Sequence, residues 1–124
     1  MEIIEAIRGF DEFRHNEIPQ SVKVIWLSRL DTTIKREIID THEGGEGIEF
    51  NGYNEDTDLS THLLVKEPYD SMYMKWLEAQ TDYCNGEIDR YNCSMTQFYS
   101  EYKAFADWYN RTHMPKSAGD FKII

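Results

Sequence analysis

From Ile88 to Tyr109 the positions Ile88, Tyr91, Met95, Phe98, Tyr102, Phe105 and Tyr109 alternate at spacings of three and four. That is the period of one helix face, held for about six turns. Upstream, Tyr69, Met72, Tyr73, Trp76, Leu77, Gln80, Tyr83 and Cys84 keep the same period. Asn85-Gly86 separates the two runs, so the pattern predicts helices over about 69–85 and 87–109, folded back as an antiparallel hairpin. Ile3, Ile4, Ile7, Phe10 and either Phe13 or Arg14 predict an amphipathic helix over about 2–14. After Pro19, Val24, Leu27, Leu30, Ile34 and Ile38 mark another over about 20–41. Its charged residues Lys23, Arg29, Lys35, Arg36 and Glu37 fall mostly on other faces and read as its solvated side.

Thr41-His42-Glu43-Gly44-Gly45 stops that helix. Residues 42–66 are polar, acidic and glycine-rich and predict a protruding loop with little share in the core. Within it, Ile48-Glu49-Phe50 alternates and Asn51-Gly52 follows, the strongest short-range hairpin signal. Leu63, Leu64 and Val65 return the chain to the core. Glu67-Pro68-Tyr69-Asp70 opens the third helix, with Asp70 or a neighbour as its cap. Met114-Pro115 closes the helical region, and 116–124 reads as a loose tail. The expected fold is therefore all-α: one domain over 1–124, a small bundle of about four helices with an aromatic C-terminal hairpin and a long acidic loop carrying a minor β-hairpin.

The chain has 124 residues, enough for a core without disulfide or metal staples. Its aromatic fraction of 14% is more than so small an interior readily buries, which favours an interaction protein. Trp26, Tyr99 and Trp108 lie off the main helical seams and are the aromatic candidates for a subunit interface. Of the net charge of −10, residues 1–69 hold −8, and Glu37 to Asp58 contains eight carboxylates with no Lys or Arg. Such a surface repels phosphates, so the sequence predicts no direct nucleic-acid recognition. Glu43, Glu46, Glu49, Glu55, Asp56 and Asp58 are the acidic candidates for partner contact. No run approaches the ~20 apolar residues of a membrane span. Glu2, Glu5 and Arg8 interrupt any leader-like start, so the chain is expected to be soluble and made in the bacterial cytoplasm.

Catalytic and cofactor chemistry finds no foothold. Cys84 and Cys93 have neither metal-ligand spacing nor a histidine at helical distance, and read as reduced thiols half-buried among aromatics. His15, His42, His62 and His113 fall in segments read as loops or ends, without a ligand spacing. Asn54, Asp56 and Asp58 echo the opening of a calcium loop. Leu59 stands where that loop needs glycine and Val65 where it needs a bidentate glutamate. The sequence thus predicts no enzyme, no cofactor and no metal.

Several strings carry a resemblance. They are Thr33-Ile34-Lys35-Arg36-Glu37-Ile38-Ile39-Asp40-Thr41-His42, Glu67-Pro68-Tyr69-Asp70, Trp76-Leu77-Glu78-Ala79-Gln80, Asn85-Gly86-Glu87, Arg90-Tyr91-Asn92, Ser94-Met95 and Tyr109-Asn110-Arg111-Thr112-His113-Met114-Pro115. In this order, over residues 3–115, the chain resembles the small head–tail connector, or head-completion, proteins of tailed phages and prophages of Gram-positive bacteria. The resemblance implies a mainly helical subunit that assembles into a ring below the portal, often twelve-fold. Such a ring closes the DNA-filled head and docks the next neck or tail protein, and its place is the virion neck. No catalytic residues are implied. The alternatives are a prophage tail-completion or assembly-chaperone protein, or a small regulatory or enzymatic protein of the same gene cluster.

Overall fold

The computed structural model describes residues 1–45 and 47–116. They form a small all-α bundle: α1 (Ile3–Phe13), α2 (Gln20–Ile34), α3 (Met72–Cys84) and α4 (Ile88–Thr112). A π-helical turn, Lys35–Ile39, prolongs α2, with the Asp40 N–H donating to the Lys35 carbonyl at 2.8 Å. A 3₁₀ turn, Tyr69–Ser71, leads into α3. No side chain caps α3, and Asp70 is buried instead.

The α3–α4 hairpin makes the most extensive interhelical contact. Gly86, at φ 72°, supplies the left-handed residue that reverses the chain. Around it the Glu87 N–H donates to the Asp82 carbonyl (2.9 Å) and the Gly86 N–H to that of Tyr83 (3.1 Å). This crossed pair satisfies the last carbonyls of α3. Facing inward from α4, Phe98, Phe105 and Tyr109 are buried, while the same stripe runs out to solvent at Ile88.

Helix α1 buries Ile3, Ala6, Ile7 and Phe10. At the position the sequence left open, Phe13 faces solvent and Arg14 turns inward to pair with Asp82 at 2.6 Å. Helix α2 departs further from a one-sided reading. Lys23 is only 2% exposed, pairs with Asp11 at 2.6 Å and lies over the Phe10 ring. Its alkyl stem packs as an apolar group while the ammonium finds a carboxylate at the rim. Expected on a solvated face, it is instead part of the α1–α2 contact.

The connection from 40 to 68 is a strap rather than a protruding loop. Among the described residues it forms no strand ladder, so the expected β-hairpin at Asn51-Gly52 is absent. The alternation of 48–50 has no returning partner, because residues 54–60 fold into turns held by their own Asn and Asp side chains. Gly52, at φ 85°, serves close approach: a Cβ there would stand 3.1 Å from Ser28 Oγ. Tyr53 is thereby laid on α2, its N–H donating to Ser28 Oγ (2.9 Å) and its hydroxyl to Asp31 Oδ2 (2.5 Å). Further on, Leu59 and Thr61 carbonyls accept the Ile4 and Ile3 N–H groups (3.0 Å each), capping the donors that α1 leaves open. At the strap's start, Glu43 donates its N–H to the Met114 carbonyl (2.7 Å), and Lys116 donates its own to Thr41 (2.8 Å). The expectation that this segment adds little to the core therefore fails: Tyr53, Leu63 and Val65 are buried. Apart from Lys116, the expected loose tail lies outside the described residues.

Asp31 organises this arrangement. Fully buried, it accepts Tyr73 Oη on Oδ1 (2.6 Å), and Tyr53 Oη and the Leu64 N–H (3.1 Å) on Oδ2. Tyr73 Oη in turn accepts the Val65 N–H at 2.9 Å. Burial pushes the Asp31 carboxyl above its ordinary range, against the opposing pull of Tyr53, Tyr73 and Leu64. A raised carboxyl value makes the protonated form the better fitted to the fold. Its contribution is full below the ordinary 3.8 and falls as pH rises through the raised value, so acid does not unfold the protein through Asp31. Replacing Tyr73→Phe removes a hydroxyl that both donates to a buried charge and accepts a buried N–H. The expected loss is about 2–4 kcal/mol in urea unfolding; an unchanged midpoint would show that the network does not hold the strap.

Candidate functional site

The described surface offers two built features, at opposite ends of the α3–α4 hairpin. At the open end, where α3 begins and α4 finishes, an aromatic cavity of about 190 Å³ lies between Tyr69, Phe105, Trp108, Tyr109, Ile48 and Leu64. Trp108 is half-buried there, with ring centroids 5.5 Å from Tyr69 and 6.0 Å from Phe105. His113 stacks on Tyr109 at 3.8 Å and 3°, closing one wall. Behind it His42 is buried, with Nδ1 2.6 Å from the Ile38 carbonyl and Nε2 2.5 Å from Asn110 Oδ1. His42 was expected in an exposed loop. It is instead the pin that joins the end of the π-helical turn to α4. Lys66 and Glu67 put one charge of each sign on the cavity wall.

At the turn end, a polar recess of about 230 Å³ is lined by Arg14, Glu78, Asp82, Arg90, Cys93 and Ser94, with Gln97 beside them. Its groups satisfy one another: Arg14 pairs with Asp82, whose other oxygen accepts Ser94 Oγ at 2.9 Å, and Arg90 meets Glu87 at 3.2 Å. That closed set of contacts joins α1 to both hairpin helices and leaves no base–nucleophile pair. Cys84 and Cys93 are both exposed free thiols rather than half-buried. Around this end Phe13, Tyr83 and Ile88 are exposed, and Tyr83 meets Tyr91 edge-on at 5.3 Å.

The sequence candidates divide. Trp26 is 7% exposed, and its carbonyl accepts Trp76 Nε1–H at 2.8 Å; it is a core residue at the α2–α3 contact and not a surface anchor. It left the sequence seam only because α2 is covered on several sides. Tyr99, 59% exposed, rests its ring on Phe98 and is open to a partner. Trp108 belongs to the aromatic cavity. Glu43, Glu49, Glu55, Asp56 and Asp58 all face solvent, and Glu46 lies outside the described residues. Asp58 accepts the Ser60 N–H and hydroxyl, which hold its carboxyl below the usual range. Asn54 likewise accepts the Asp56 N–H, so these side chains shape turns. The calcium-like string is not assembled: among the described residues no group of three or more His, Cys, Asp or Glu is placed to hold a metal. Nor is any described helix long and apolar enough to cross a membrane. The Asp31–Tyr53–Tyr73 cluster escaped the sequence reading. Its only signal was a carboxylate one residue after Leu30 on a helix otherwise rich in apolar positions.

Comparison with protein-family models, curated proteins and solved structures gives no match to this chain.

Buried phenols make one property of this architecture measurable. Burial raises Tyr102 to about 12, helped by the Glu37 carboxylate that accepts its hydroxyl at 3.2 Å. Burial, then the Asp31 charge, raises Tyr53 and Tyr73 further. Each favours the protonated phenol in the fold. The stability they supply is full below the ordinary 10 and is lost as pH climbs through 10 to about 12 and beyond. Phenolate absorbance should therefore rise in stages, with Tyr102 late and Tyr53 and Tyr73 appearing only with loss of helical circular dichroism. One early transition covering all eight tyrosines would contradict it.

Proposed function

We propose that this chain is a structural subunit of a phage or prophage neck, a head–tail connector that assembles as a ring below the portal and docks the next neck or tail protein. The ordered series of strings from Thr33 to Pro115 carries this reading. Three physical features support it. The protein is a small helical bundle with no catalytic constellation among the described residues. Its two ends differ, with exposed Phe13, Tyr83 and Ile88 at one and the aromatic cavity at the other. Unlike ends suit the head-to-tail interfaces that close rings. Finally, the strap's carboxylates stand in solvent on a backbone anchored at both ends, a fixed acidic surface suited to a passage through which DNA must slide without sticking.

Mass spectrometry of purified virions tests the assignment directly: a connector is retained in them, whereas an assembly chaperone is absent. For the acidic surface the test is neutralisation. Changing Glu43, Glu46, Glu49 and Glu55 to Gln, and Asp56 and Asp58 to Asn, should leave the melting temperature of the isolated protein within a few degrees. Head–tail joining or DNA ejection should falter in particles carrying it. Normal infectivity would reduce the acidic run to a solvated surface.

A further inference from the structure

We infer that the aromatic cavity at the open end of the hairpin receives the C-terminal segment of a second copy of this chain, with Phe121 as the inserted ring. The cavity is bounded by Tyr69, Phe105, Trp108, Ile48 and Leu64 and measures about 190 Å³. An apolar cavity of about 150 Å³ accepts a benzene ring, so this one has room for a single phenyl group. The chain beyond Lys116 reads Ser-Ala-Gly-Asp-Phe-Lys-Ile-Ile. Phe121 is its one aromatic residue, flanked by Asp120 and Lys122, one charge of each sign. Lys66 and Glu67 on the cavity wall offer the complementary pair.

Direction decides between the chain's own cavity and a neighbour's. Met114 accepts from Glu43 and Lys116 donates to Thr41, so residues 114 to 116 run antiparallel to 41–43. His113 and Gly44 border the cavity, and the chain leaves them behind as it passes Pro115. It is heading away from its own cavity at Lys116. Five residues, about 16 Å when extended, separate Lys116 from Phe121, a reach suited to a neighbouring subunit. The inference rests on the self-assembly reading above and names the contact that would link adjacent copies.

The test replaces Phe121 with photoreactive benzoylphenylalanine in the full chain, mixing isotopically heavy and light copies before irradiation. Expected are cross-links from residue 121 of one isotope to peptides containing Tyr69 or Phe105–Tyr109 of the other. Phe121→Ala should raise the concentration for half-assembly about tenfold to a hundredfold, since a buried phenyl ring is lost. Its helical content should match the parent, because the change lies outside the bundle. Assemblies whose cross-links stay within one isotope, or miss the cavity, overturn the exchanged tail and leave the ring reading standing. A chain that stays monomeric at every concentration, in virion extracts as well as alone, overturns both.

Discussion

One buried carboxylate decides how this chain closes. A charge taken out of water costs several kcal/mol unless donors surround it, and Asp31 gathers three: two tyrosine hydroxyls and a backbone N–H. They come from the middle of the strap, its end and α3. No single helix pair could satisfy Asp31, so the strap must be in place before α2 can be sealed. Tyr73 extends the constraint by accepting the Val65 N–H, which fixes the chain just before it enters α3. An apolar residue at 31 could be buried at less cost but would leave two phenols and two amides without partners. The polar node thus specifies where 29 residues of irregular chain run, from Asp40 to Pro68.

Helices were legible because their signal is periodic and repeated. All four appear near their expected bounds, and Gly86 turns the hairpin where the break in the stripe placed it. What the sequence concealed lies on α2. A hydrophobic period identifies one buried face, but α2 is covered by α1, by α3 and by the strap. Polar residues on its other sides are therefore buried too: Lys23 against Phe10, Asp31 against the tyrosines. Trp26 went astray for the same reason, read as an exposed anchor and found in the core. Asn51-Gly52 misled differently. The dipeptide correctly marked a positive φ, yet a hairpin also needs a second strand, and Asn54 to Ser60 fold on themselves. The acidic candidates were placed correctly on the surface, since nothing in their sequence offered them a buried partner.

The strap's anchoring changes what its acidity does. Carboxylates on a loose loop move apart when copies crowd together, which relieves repulsion at some cost in entropy. These ride on a backbone tied to Ser28, Asp31, α1 and α4, so their separation is set by the fold. Their field acts as a fixed feature over a screening length of about 8 Å at physiological salt. Any assembly that brings these faces together must offset that repulsion with apolar contact elsewhere. The apolar candidates sit away from the strap's outward face: Tyr99 along α4, Phe13 and Tyr83 at the turn, and the cavity beside Trp108. Attraction and repulsion are thus assigned to different surfaces of one rigid bundle. A subunit built this way resists face-to-face pairing through its acidic side and favours joining through its ends. That bias selects a directional, repeating contact over a symmetric dimer.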